Sequence, residues 1–337
     1  MLTRTSRRSL LAASSIVCAL VLGGVHAPEP EADVRPSAVK SFRAFAADSW
    51  WNTPLPANAP QSPLESRVLE YMRTAPDSDG GCLRLAGTGS NEWGQPVFRA
   101  GPGDPEFDVR VSGASSRPPE LASLRIPRRA RAADTSDAAM TVFDRDRGYV
   151  TALTGADYDP TAGRWTARGA TVTYLASNGL HVRTGRSDNR RNNGTHRGNN
   201  GATMMVRYAE VDSGAIRHVL KVASGPETSR GFVFPMVGSD GDSADPVAPA
   251  QGLRFRIKPS VDLDALRLNP QARVIAKTLQ RYGMYIGDNG GHTILKLQDT
   301  RASGLGQLWQ LNSTALCSLP LGAKYWDVIK GGYDPSR

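Results

Sequence analysis

The chain has 337 residues, of which 22% are charged and 39% hydrophobic, with a formal net charge of +9. That length buries a core as one large domain or two intimate ones. The positive balance fits an acidic polymer, an anionic cell surface or an ordinary secreted protein; no nucleic-acid, dinucleotide or phosphate-loop motif accompanies it, and there is no internal repeat.

Residues 1–27 read as an export signal. Arg4, Arg7 and Arg8 precede an apolar run from Leu10 to Val25, and Ala27 supplies a small residue at the end. Ser6-Arg7-Arg8-Ser9-Leu10-Leu11 also resembles a twin-arginine signal. The apolar run is short for a membrane span, so no span is expected once the signal is removed, and the mature chain is expected to be secreted. Losing those three arginines takes the charge from +9 to +6. Two cysteines then remain, Cys82 and Cys317, and in an oxidising compartment an even pair predicts a disulfide.

Residues 28–40 are polar and Pro-rich, a linker. The domain proper is expected over 41–337, with an arm and a helix at 41–76. In the arm, Trp50 and Trp51 stand beside Pro54 and Pro56. Such a pair either stacks on sugar rings or staples the arm to the core, and the structural role is the simpler. Ser62-Pro63-Leu64-Glu65 is a capping box, and Leu64, Val68, Leu69 and Met72 form the stripe of a helix that stops before Pro76. Residues 80–127 read as loops and edge strands. Thr141–Phe143 and Tyr149–Leu153 predict a hairpin around Asp144–Gly148, followed by strands at Arg164–Ala167 and Ala170–Leu175. Residues 177–201 lack periodicity and carry several arginines and asparagines. Strands are expected at Met204–Tyr208, Ala215–Val222 and Gly231–Pro235, with a turn between the first two.

Residues 251–297 are the most legible stretch. Leu253, Phe255 and Ile257 alternate with Arg254, Arg256 and Lys258, which predicts a strand with an apolar and a basic face. Asn269-Pro270 caps a helix that ends at Gly283. Met284–Ile286, the turn Asp288–Gly291 and His292–Leu297 predict a hairpin. Leu308–Leu311 and Tyr325–Ile329 are expected to close the fold. Short strands separated by turn residues predict a mainly β fold, sandwich-like or jelly-roll-like, with a few peripheral helices.

The segments VFDRDRGYV (Val142–Val150), MVRYAEVDSGAIRHVL (Met205–Leu220), FVFP (Phe232–Pro235), GLRFRIKPSVDLDAL (Gly252–Leu266) and LQRYGMYIGDNGG (Leu279–Gly291) resemble, in order and spacing, a family of secreted proteins common in actinobacteria and present in fungi. SWWNTPLPANAP resembles the family's amino-terminal segment. The resemblance implies a β-sandwich-like, extracytoplasmic protein acting on polysaccharide, and it brings no defined reaction. At two positions the chain departs from it: Ala152 stands where relatives carry an acid, and Gly238 where they carry a histidine.

These features make a secreted carbohydrate-active protein the expected function, a polysaccharide lyase or glycoside hydrolase. A non-catalytic binder of carbohydrate or cell envelope is the alternative. Lyase chemistry needs a base, an acid and a group that neutralises a carboxylate. His218 or His196 is the candidate base, Tyr285 or Tyr282 the acid, and Arg254 or the arginines of 177–201 the neutraliser, with Arg254, His196, Asn289 and Trp51 as substrate contacts. A hydrolase needs two carboxylates, and Asp288 with Asp144 is the pair on offer. A histidine on an apolar face such as His218 is more often a satisfied core residue, and Asp288 and Asp144 both suit turns. The mature histidines show no metal-ligand spacing, so neither metal nor cofactor is expected. The expected partner is a polysaccharide or an anionic cell-envelope polymer.

Overall fold

A computed structural model describes residues 42–89, 93–113, 117–189 and 197–337. The expected signal, the linker and His196 lie outside the described residues. Among the described residues no helix is long and apolar enough to cross a membrane.

Helix α1 is Glu65–Thr74. Strands β1 (Arg84–Ala86) and β2 (Val97–Ala100) follow, then short strands β3 (Glu106–Phe107), β4 (Arg110–Val111) and β5 (Leu124–Arg125). Next come β6 (Met140–Asp144), β7 (Tyr149–Thr154), β8 (Asp157–Asp159), β9 (Arg164–Ala167) and β10 (Gly169–Tyr174). After α2 (Tyr208–Asp212) the chain runs through β11 (Leu220–Ser224), β12 (Arg254–Ile257), α3 (Pro270–Arg281), β13 (Met284–Asn289), β14 (Ile294–Lys296) and β15 (Trp326–Val328). The fold is therefore mainly β with few helices, as expected.

The largest sheet has the order β1-β14-β11-β13-β12-β15, and a four-stranded sheet has the order β10-β7-β6-β2. Jelly rolls are built from antiparallel strands. Here β1 with β14, β11 with β13, and β2 with β6 all pair parallel.

Local signals place several elements as read. In α1, Val68, Leu69 and Met72 are buried. Its capping box is not closed: Ser62 Oγ accepts from the Leu64 N–H at 3.2 Å, while Glu65 reaches across to accept from the Val328 N–H of β15 at 2.9 Å. In α3, Asn269 Oδ1 accepts from the Gln271 N–H at 2.9 Å, and Pro270 opens the helix. Ile275 and Leu279 are fully buried in the main core, where each contributes about 1.5–3 kcal/mol. Gly283 ends α3 at φ +73°, and a Cβ there would sit 2.4 Å from the Phe255 carbonyl oxygen, so only glycine fits. The β6–β7 hairpin pairs Met140 with Leu153 through Asp144 with Tyr149. Cys82 and Cys317 form the expected disulfide, with Cα atoms 4.4 Å apart.

Other expectations are corrected. β13 and β14 do not pair with each other, because β11 lies between them, parallel to β13 and antiparallel to β14. Residues 215–219 are not strand; β11 begins at Leu220, after Val219 has donated to the Trp51 carbonyl instead of to a ladder. Phe232–Pro235 forms no strand: Phe232 makes a single bridge to Gln251, and the Phe234–Pro235 peptide is cis. Met204–Tyr208 gives way to α2, and Leu308–Leu311 stays irregular.

The basic face of β12 is not solvent-facing. Arg254 and Arg256 are only 3% and 2% exposed. The amino-terminal arm covers them with its own carbonyls: Arg254 donates to Thr53 O at 3.2 Å, and Arg256 to Pro56 O at 2.6 Å and Ala57 O at 2.8 Å. Asp327 on β15 neutralises Arg256 at 3.0 Å. Arg254 also donates to Tyr282 O at 2.7 Å and stacks over Trp50 at 4.8 Å.

Candidate functional site

In β11, Leu220 and Val222 point into the main core, so Lys221 and Ala223 point the other way. The same alternation in β14 buries Leu295 and turns Ile294 and Lys296 to that opposite face. β13 adds Asp288 and Asn289 at its end, where the pairing with β11 shifts register between Val222 and Ala223. Together these residues form the floor of a cleft of about 1680 Å³. Its opposite wall comes from β7 and β10, including Ala152 and Tyr174, and Trp93 stands at the margin, 45% exposed.

Lys221, Asp288 and Lys296 on the floor belong to a longer chain of charges. Lys221, 5% exposed, donates to Asp288 at 2.9 Å. Arg197 bridges Asp288 at 3.4 Å and Asp240 at 2.6 Å. Asp240 also accepts from Gln251, and from Asn289 at 3.4 Å. Lys296 lies 3.9 Å from Asp137. Burial pushes the Asp288 carboxyl up, but Lys221 and the hydrogen bond with Asp240 outweigh it and hold the group well below the usual carboxylate range. Asp240 moves the other way, raised by burial and by the adjoining Asp288. Burial lowers Lys296, and the like charge of Lys221 lowers it further.

Of the residues nominated from the sequence, Asp288 and Asn289 line this cleft. His218 is fully buried elsewhere, with Nδ1 2.8 Å from Val219 O and Nε2 3.2 Å from Glu210, which also holds Arg207 at 2.6 Å. Both ring nitrogens face oxygen acceptors, the environment of a structural histidine. Tyr285 pairs with Lys221 across the sheet but is fully buried under Trp50 and Trp51: its hydroxyl donates to Asn199 Oδ1 at 3.0 Å and accepts from the Asn200 N–H at 3.2 Å. Burial raises its pKa. Trp51 has no exposed surface and packs edge-on against Tyr285, with centroids 5.3 Å apart. Arg254 is enclosed by the arm, as described above. Asp144 is fully buried and accepts from the Arg147 N–H at 3.0 Å, so it does not pair with Asp288.

Sequence reasoning passed over Lys221, Lys296 and Trp93. A signal existed for the lysines, each of which interrupts an apolar strand, between Leu220 and Val222 and between Leu295 and Leu297. Trp93 sits in an irregular stretch with no periodicity to place it. Ala152 lies on the cleft wall, and Gly238 stands against Arg197, whose Cγ would be 3.2 Å from an added Cβ. Among the described residues no group of three or more His, Cys, Asp or Glu could hold a metal ion. No protein-family model, no curated protein and no solved structure matches the chain.

Proposed function

We propose that the protein is a secreted carbohydrate-active protein whose cleft takes a segment of an extracellular polysaccharide. The observation that carries this reading is Trp93, a large apolar ring 45% exposed at the margin of a cleft with a polar floor. An indole face stacks on a pyranose ring, while floor carboxylates and ammonium groups hydrogen-bond its hydroxyls. The reading treats the six-stranded and four-stranded sheets as two layers of a sandwich-like scaffold that opens at the cleft. The cleft lining carries Arg117, Arg168, Lys221 and Lys296 against Glu120, Asp137 and Asp288, close to balance. Such balance favours a neutral polymer over a strongly anionic one.

Hydrolysis requires two protein carboxylates flanking the scissile bond, and the cleft lining holds Asp288, Asp137 and Glu120. The enclosure of His218 and Tyr285 favours the second reading, a binder that does not cut. Gel retardation on a panel of neutral and uronate polysaccharides tests the proposal, with reducing ends and ultraviolet absorbance of unsaturated products followed in parallel. Retention on a neutral polymer that is lost in Trp93→Ala supports the cleft reading. Equal retention of the variant, or no retention on any polymer, removes its basis. New reducing ends alone would establish hydrolysis, and new absorbance would establish elimination.

A further inference from the structure

The chain uses arginine almost everywhere it needs a cation: of its 41 basic residues only seven are lysines. Two of those seven, Lys221 and Lys296, stand side by side on adjacent strands at the cleft floor. Arginine stays protonated, presents a broad fork and is a poor nucleophile; lysine carries one compact amine whose proton is removable. Where cations are otherwise arginines, paired lysines in a cleft point to amine chemistry.

The two amines are not equivalent. Lys221 is nearly enclosed and donates to Asp288 at 2.9 Å. The Lys296 side chain keeps 24% of its surface exposed, and among the described residues its nearest carboxylate oxygen, on Asp137, is 3.9 Å away, beyond hydrogen-bond length. The charged groups acting on it come from three directions: Lys221 on β11, Asp288 on β13, and Asp137 on the segment before β6. Burial and the adjacent ammonium both disfavour its protonated form, whereas the two carboxylates oppose them and fall short. A lysine desolvated beside a second cation is a recognised way to free a nucleophilic amine.

We propose that Lys296 is an amine nucleophile that forms an imine with a carbonyl compound entering the cleft, an aldehyde of the kind present at the reducing end of a sugar. The Nζ lone pair attacks the carbonyl carbon, and the C=O π electrons move to oxygen. Lys221 gives that oxygen a proton, and the nitrogen of the adduct loses one to Asp137. The carbinolamine then expels water, leaving a C=N bond to Lys296, and hydrolysis reverses the step without any oxidant or reductant. The inference rests on the cleft being open to a saccharide-sized ligand, but not on polysaccharide binding itself.

The test is to incubate the intact mature protein with glycolaldehyde at neutral pH, reduce with cyanoborohydride, and map modified lysines by peptide mass spectrometry. Lys296 is expected to be the first and dominant site, with that adduct lost in Lys296→Arg and reduced in Lys221→Met, where the neighbouring charge is gone. Modification of the exposed Lys277, Lys324 and Lys330 with Lys296 left unmodified would overturn the assignment. The wild-type map alone decides it, so a variant that fails to fold does not blunt the experiment. Polysaccharide retention by Trp93 is read separately, so the two proposals fail independently.

Discussion

Two of the polar clusters among the described residues differ in what surrounds them. Arg207, Glu210 and His218 form a closed cluster, all nearly inaccessible and bonded to each other or to backbone carbonyls. Lys221, Asp288 and Lys296 belong to an open one: they line the cleft, and Arg197 and Asp240 extend the network from Asp288 outside its lining. By residue type the closed cluster looks the more catalytic, since it has a histidine beside a carboxylate. Enclosure reverses that ranking. Chemistry needs a group that a ligand can reach, and reach is set by which strands are neighbours.

The comparison breaks most sharply at Glu210. Glu210→Ala strands a buried guanidinium and a buried imidazole, and is expected to cost about 3–5 kcal/mol in denaturant unfolding. Loss of ligand binding without loss of stability would show that the closed cluster is functional after all. Acid sharpens the same point. Burial raises the Glu210 carboxyl, but Arg207 and His218 lower it further, so its folded pKa lies below the ordinary value of 4.5. Its stabilisation is complete above that value and drains away as pH falls through the lower folded pKa. Melting curves should therefore drop below about pH 4.5, and Glu210→Gln should flatten that drop.

Asp288→Asn comes next. It leaves Lys221 buried without its carboxylate, at a cost of roughly 1–3 kcal/mol. Unlike Glu210→Ala, it is expected to weaken polysaccharide retention as well, measured on the folded fraction. Trp93→Ala is the smallest in stability, within about 0.5 kcal/mol of the parent because the ring is half in solvent. Its expected effect is on retention alone. A large fall in melting temperature would mean that Trp93 is a packing residue like Trp51.

How much was legible follows the range of the physics involved. The α1 stripe, the Asn269-Pro270 cap, the turn at Asp144–Gly148 and Gly283 are local devices, and each was readable within a few residues. The pairing of β11 between β13 and β14 is not local: Asp288-Asn289-Gly290-Gly291 reads as a hairpin turn, and nothing nearby announces that Leu220–Ser224 will occupy the gap. That one insertion brings Lys221 to Asp288 and Lys296, so the site stayed hidden along with it. Arg254 and Arg256 misled in the opposite sense. Their alternation was correct, yet the arm from Thr53 to Ala57 roofs the basic face, so Arg254 meets backbone carbonyls in place of a substrate. The tryptophans divide likewise: the pair with the more suggestive sequence is buried, and the isolated Trp93 is on the cleft.

The bond between Cys82 and Cys317 has a consequence for damage. It closes nearly all of the chain that carries the cleft into a covalent ring, so a protease that cuts once anywhere inside the ring opens it without releasing a piece. A nicked molecule would migrate as one species until reduced and then split into two. Strands on either side of the cut would stay within reach of their partners, and the ring tolerates a first break that would be final for an uncrosslinked chain.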